Sequence, residues 1–185
     1  NLDTKLSAGN GYTATAENCD EVTALSANEG WGQRRFYGMS DLFSIKIAEV
    51  TKVGIPCSVA NTGVEVVFDE SVPSYFTTSY KVTVSDGSRS IVFDSETGGS
   101  TVAGETTYGK TGYFNVSEDS TCTVSYTIEA YSDYLRLVKT RSLTLKQATI
   151  SRLHLKFVPG MYDLDVNVYN EDIYVEQGIE ITDKD

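Results

Sequence analysis

Apolar and polar residues alternate with a period of two along most of this chain, the pattern of strands that bury one face and wet the other. One stretch of this kind is used twice. Ser44 to Phe68 reads SIKIAEVTKVGIPCSVANTGVEVVF, and Ser142 to Val166 reads SLTLKQATISRLHLKFVPGMYDLDV, an ungapped match at an offset of 98 residues. Few residues are identical, yet the apolar positions coincide: Ile45 with Leu143, Ile55 with Leu153, Cys57 with Leu155, Val59 with Phe157 and Val66 with Leu164. Each copy breaks at a turn, Asn61-Thr62-Gly63 or Pro159-Gly160, and then resumes. Gly11 to Ala16 has a similar look-alike at Gly112 to Val116, so the repeat extends upstream. The pattern predicts an all-β chain of two tandem β-sandwich modules, residues 1–60 and residues 61–185. By that register the first module lacks N-terminal strands, and a sheet short of a strand offers an open groove that can recruit one.

Strands are predicted at Leu42–Ala48, Lys52–Val59, Val64–Phe68, Tyr80–Val84, Ser90–Phe93, Tyr113–Val116, Cys122–Ala130, Leu143–Leu145, Leu153–Phe157, Tyr162–Val168 and Tyr174–Ile181. A single helical turn is expected through Tyr75. Asp86-Gly87 marks the clearest hairpin, because such pairs supply the positive φ angles of tight turns. Glu17 to Met39 reads as a polar loop, and Thr97 to Ser100 opens a mobile one. No segment sustains an apolar period of 3.6.

Composition narrows the functional classes. The 185 residues carry a formal net charge of −11 with a pI near 4.5, which repels nucleic acid and anionic lipid. Twelve tyrosines against two methionines suit sheets. No apolar run approaches the roughly 20 residues that span a bilayer. Cys19, Cys57 and Cys122 form neither an even disulfide framework nor a CxxC motif; Cys57 and Cys122 read as small apolar side chains on strand faces, with a disulfide between some pair as the other option.

Several patterns carry candidate chemistry. Gly104-Glu-Thr-Thr-Tyr-Gly109-Lys110-Thr111 satisfies GxxxxGK[ST], but a phosphate loop needs a helix starting at its lysine, and alternating β residues follow here. His154 is the single histidine, which rules out a three-histidine metal site; between Leu153 and Leu155 it reads as a solvent-facing strand residue. Asp163, Asp165, Asn167, Glu171 and Asp172 are hard oxygen donors, yet the first three alternate with Tyr162, Leu164, Val166 and Val168 as the wet face of a strand. Carboxylates are plentiful, and nothing singles out a catalytic pair. Trp31, Arg34, Arg35 and Tyr37, with Phe36, are the candidate ligand surface: exposed aromatics stack on sugar rings and arginines clamp carboxylates. The competing reading has Trp31 and Phe36 plug the end of the sandwich.

The segments Leu6-Ser-Ala-Gly9, Gly11 to Ala16, Phe36-Tyr37-Gly38, Phe43-Ser-Ile45, Glu49-Val50-Thr51, Cys57 to Asn61, Val64-Glu-Val66, Tyr75-Phe76 and Tyr80 to Val84 together resemble the fimbrillin-like surface lipoproteins of Bacteroides-type anaerobes. More narrowly, they resemble a subgroup of uncharacterised candidate adhesins. The likeness covers most of Leu6 to Phe157. It implies two transthyretin-like, Greek-key sandwiches, export, and an outer-membrane lipid anchor whose lipobox cysteine is absent from this chain. It further implies a non-catalytic role in adhesion or pilus assembly, with other subunits or host and bacterial surface ligands as partners, and neither cofactor nor metal. A glycan-binding module using the Trp31–Tyr37 loop is the alternative expectation.

Overall fold

A computed structural model of the chain describes residues 6–173; the expected strand at Tyr174–Ile181 lies outside them. The N-terminal part contains β1 (Gly9–Tyr12), β2 (Thr15–Glu17), α1 (Glu21–Gly30), β3 (Phe36–Met39), β4 (Phe43–Ile45) and β5 (Cys57–Val59). They form two small sheets, β1-β4 and β2-β3-β5, all antiparallel. After Ala60 follow β6 (Asn61–Asp69), α2 (Ser71–Tyr75), β7 (Ser79–Ser85), β8 (Ser90–Phe93), β9 (Gly99–Val102), β10 (Glu105–Thr107), β11 (Gly112–Asn115), β12 (Thr121–Tyr131), β13 (Arg136–Lys146), β14 (Thr149–Val158) and β15 (Asp163–Asp172). One sheet runs β10-β9-β6-β14-β15 with β11 also on β6; the other runs β13-β12-β7-β8. The protein is an all-β sandwich.

The two sheets meet through alternate residues, as packed sheets do. Val64, Val66, Phe68, Leu153, Leu155 and Phe157 of the first sheet face Val82, Val84, Ile91, Phe93, Val124, Tyr126 and Ile128 of the second, all within one buried cluster. Strand β6 is the hub. Asn61 through Phe68 are all buried. It pairs in parallel with β14 and β9, and antiparallel with β11. A parallel strand covered on both faces calls for the β-branched run Val64-Glu-Val-Val67 rather than simple alternation. Glu65 sits inside that run, and it is met by Arg152 Nε at 2.7 Å and Thr111 Oγ1 at 2.6 Å, which satisfies its buried carboxylate.

The repeat is only partly structural. β14 and β15 form a hairpin, whereas β5 pairs with β3 and β6 crosses into the sandwich. The chain turns after Lys46 and after Lys146, with Ala48 at φ 59° and Ala148 at φ 57°. The structural offset there is therefore 100 residues rather than 98. A slip of two leaves every side chain on its face, so a pattern of period two cannot register it. Leu42–Ala48 shortens to β4 and Lys52–Val59 to β5, since no second sheet covers Ile47 and Val50.

Other expectations are corrected. The Glu17–Met39 loop holds α1, started by Asp20, whose Oδ1 accepts from Thr23 N at 2.7 Å; helical geometry is lost at Ala27–Glu29. The Gly-rich loop contains β9 and β10. The β7–β8 turn spans four residues, and only Gly87 takes a positive φ, +91°; Asp86 instead accepts from the Ser88 and Arg89 N–H groups. Cys57 is exposed, Cys122 half-buried, and all three cysteines are free thiols.

Asn61 is wholly buried; its Oδ1 accepts from Arg35 N at 3.1 Å and its Nδ2 donates to Gln33 O at 2.7 Å. Asn61→Ala leaves both backbone groups without partners and is expected to lower unfolding free energy by about 2 kcal/mol. Urea denaturation checks this; a change within error of zero would contradict it.

Candidate functional site

The Trp31–Tyr37 segment begins where α1 ends. Gly32 takes φ +82°, and a Cβ there would stand 3.0 Å from Tyr113 Cβ, so the loop lies flat on β11. Tyr113 N donates to Trp31 O at 2.8 Å. The half-buried Trp31 ring meets Phe93 edge-on at 5.1 Å, and Lys110 Nζ sits 5.2 Å from its centroid. Together with Asn28, Glu29, Thr111 and Tyr113 these two residues line a cleft of about 550 Å³. Arg34 Nε donates to Tyr113 Oη at 3.2 Å.

Arg35 and Tyr37 belong to a second group. The Arg35 guanidinium, 14% exposed, pairs with Glu17 at 3.0 Å and Glu21 at 3.3 Å, donates to Cys19 O, and lies 5.4 Å from the Tyr37 centroid. The structure therefore places Trp31 and Arg34 beside Tyr113, and Arg35 and Tyr37 against β2 and α1. The four do not line one cleft. Phe36 is half-buried on β3 between β2 and β5.

The remaining patterns have structural partners. Lys110 of the GxxxxGK[ST] segment lies on Trp31, Thr111 bonds Glu65, and β11 rather than a helix follows. Asp163 pairs with Lys139 and Glu171 with Arg152, whose guanidinium also stacks 4.0 Å from the Tyr108 centroid. Asp165 and Asn167 remain side by side on β15. His154 is half-buried and meets the Tyr169 ring edge-on at 4.8 Å. Burial, aided by the Arg152 charge, pushes its pKa below the usual histidine range.

A second concavity, which sequence reasoning missed, opens at one end of the sandwich. Tyr75 ends α2, Asp133 and Tyr134 form the β12–β13 turn, and Tyr162 closes the β14–β15 turn; with Thr77 and Phe157 they border about 510 Å³. Phe157 is the buried floor, its ring 4.5 Å from that of Tyr75. Exposed tyrosines inside segments otherwise built of turn residues were the available signal.

Fold and site geometry together define an all-β sandwich protein whose recesses lie at loop ends. Over residues 1–182 the chain matches the family described as a domain of unknown function, DUF4493, and it belongs to that family. No curated protein matches it. Among solved structures it is similar to a candidate cell adhesion protein from Bacteroides uniformis ATCC 8492, at 11% identity and a TM-score of 0.45 over 92% of this chain and 69% of that one. It is also similar to a fimbrial protein from Bacteroides vulgatus ATCC 8482, at 11% identity and a TM-score of 0.32 over 88% of this chain and 77% of the other.

Two outcomes are expected. Trp31→Ala removes the contact with Phe93 and lowers stability by about 2 kcal/mol, seen as a fall in melting temperature; an unchanged melting temperature would release the ring for ligand contact. For His154 the folded state favours the neutral ring, so the unfolded chain binds the proton first. Stability from this group is present above pH 6.5 and declines as pH falls from there toward the lower folded pKa. NMR titration of this single histidine should give a midpoint below 6.5; a midpoint above it would reverse the sign.

Proposed function

We propose that the chain is a non-catalytic, exported surface protein of the adhesin or fimbrial-subunit class. In this reading an N-terminal module, residues 1–60, precedes a sandwich module, residues 61–185, and the protein is displayed at the outer membrane. One observation carries the reading. Within a short stretch of the N-terminal part, Leu42 is 73%, Ile47 84% and Val50 91% exposed, with Met39 beside them at 56%. Apolar side chains concentrated in the loops that flank β4, with Met39 at the end of β3, mark a surface that another chain covers. The partner is a further surface subunit, since the strong negative charge disfavours nucleic acid and anionic membrane.

The polar networks support a structural rather than a reactive body. Arg35 joins β2, α1 and β3; Arg152 joins β6, β14 and β15; the Thr97 hydroxyl, with backbone N–H groups, makes Asp94 more acidic than usual, and at Asp86 desolvation is outweighed by hydrogen bonds from the Arg89 and Ser88 N–H groups and the Ser88 hydroxyl, with the same result. The Trp31 cleft, with Lys110 beside the indole, keeps a glycan-binding role for that loop as the second reading.

The test is site-specific photocrosslinking of the full-length protein on the cells that produce it, with the probe at Ile47 and a control at Val92, a sandwich residue 43% exposed. Crosslinks from Ile47 to a second chain, with none from Val92, are expected. Crosslinks confined to the same chain, or none, would overturn the reading.

A further inference from the structure

We propose that the end-of-sandwich cleft between Tyr75, Tyr134 and Tyr162 is a binding site for a neutral carbohydrate. The first argument is exposure. Tyr134 is 98%, Tyr162 72% and Tyr75 48% exposed, whereas the core aromatics Phe76, Phe93 and Phe114 are at most 1% exposed. Three large rings held in water at one rim lose the stabilisation that burial would give, and they do so where loops gather at the end of a sandwich, the usual place for its ligands.

The second argument is backbone conformation. Tyr162 takes φ +50°, a left-handed conformation that bulky residues rarely adopt and that glycine or asparagine would fill with less strain. Its N–H returns to Pro159 O at 3.3 Å and Met161 N to Val158 O at 3.1 Å, so the turn is fixed and the ring is held out over the cleft. The facing turn is equally defined: Ser132 N donates to Leu135 O at 2.8 Å, and Leu135 N donates to Ser132 Oγ at 3.1 Å, leaving Tyr134 at its tip. Tyr75 is held from below by the Phe157 ring. The backbone that carries the aromatic rim is therefore fixed before binding, which cuts part of the ordering cost.

The third argument is the chemistry of the lining. Three hydroxyl-bearing rings border the cleft beside the apolar Leu135, Phe157 and Pro159, and its polar groups are the Asp133 carboxylate, the hydroxyls of Thr77 and Ser132, and backbone. Pyranose rings present C–H faces to aromatic planes and hydroxyl edges to carboxylates and hydroxyls. Asp133 and the overall negative charge repel anionic ligands. About 510 Å³ suits a small molecule of one or two rings, and is wide for the single ammonium head that an aromatic cage encloses.

The proposal rests on the reading of the chain as a surface binding protein and names its ligand class and site. The experiment titrates the purified chain separately with cellohexaose, xylohexaose, mannohexaose and laminarihexaose, followed by backbone amide NMR, with polygalacturonate and choline as charged probes. Saturable shifts at the 132–135 and 159–162 turns with at least one neutral oligosaccharide are expected. Tyr134→Ala should weaken binding at least tenfold at unchanged melting temperature, while Tyr37→Ala and Ile47→Lys should leave it unaltered. Absence of shifts with all four, shifts with choline or polygalacturonate alone, or binding that survives Tyr134→Ala and Tyr162→Ala would overturn it. Loss of crosslinking from Ile47 would instead bear on subunit contact, so the two failures are separable.

Discussion

One buried carboxamide ties the two parts of this molecule together. Asn61 opens the hub strand, and its side chain presents an acceptor to Arg35 and a donor to Gln33, so the segment leading out of α1 obtains backbone partners it would otherwise lack. The backbone of the same residue accepts from Ala148, and neighbouring Val59 O accepts from Gln147 Nε2 at 2.9 Å. The end of β5, the segment after α1, the β13–β14 turn and the start of β6 thus converge on a single position. An apolar residue there could fill the volume, but would strand several polar groups away from water. The same loop is tied to β11, where Tyr113 N donates to Trp31 O, and back to α1, where Gln33 N donates to Ala24 O.

Electrostatics repeats the pattern further along β6, on the face that Asn61 shares with Glu65. Glu65 is an acid inside a strand otherwise apolar from Val64 to Phe68, tolerable because Arg152 and Thr111 reach it. Burial disfavours the charged guanidinium, yet the hydrogen bonds it donates to Glu65 and Glu171 outweigh it and hold Arg152 more firmly protonated than usual. Such a group fixes alignment between β6, β14 and β15 more than it adds to stability. By contrast, Leu42, Ile47 and Val50 in the loops of the N-terminal part stand uncovered, while the interior, among the described residues, is paired apart from the buried Asn115 Oδ1.

How much of this could be read from the residues depends on what each pattern requires. β12 and β14 were legible because Val124, Tyr126, Ile128 and Leu153, Leu155, Phe157 are clear period-two faces that end up buried. Residues 46–56 show the same alternation and fail to form long strands: alternation states which side could be buried, while pairing needs a neighbour. α1 escaped notice because one polar residue, Asp20, starts it and only Ala24 is buried. The crossing of β6 into the sandwich was invisible, since its partner β14 lies far along the chain and nothing local encodes parallel pairing. The tyrosine cleft was hidden for the same reason, as its three rings come from the end of α2 and two separate turns.

That long-range pairing bears on how the chain reaches its folded state. Thr62 Oγ1 donates to Thr149 O across a separation of 87 residues, and the whole β6–β14 ladder closes loops of that order. Contacts so distant in sequence must wait until the later strand exists, and they slow folding relative to local hairpins such as β12–β13. In a chain emerging N-terminus first, the Val64–Phe68 run stays unpaired on its β14 side through most of synthesis. It is sticky in that interval, so a protein of this design profits from a chaperone or a translocation channel that keeps β6 solitary until its partner arrives.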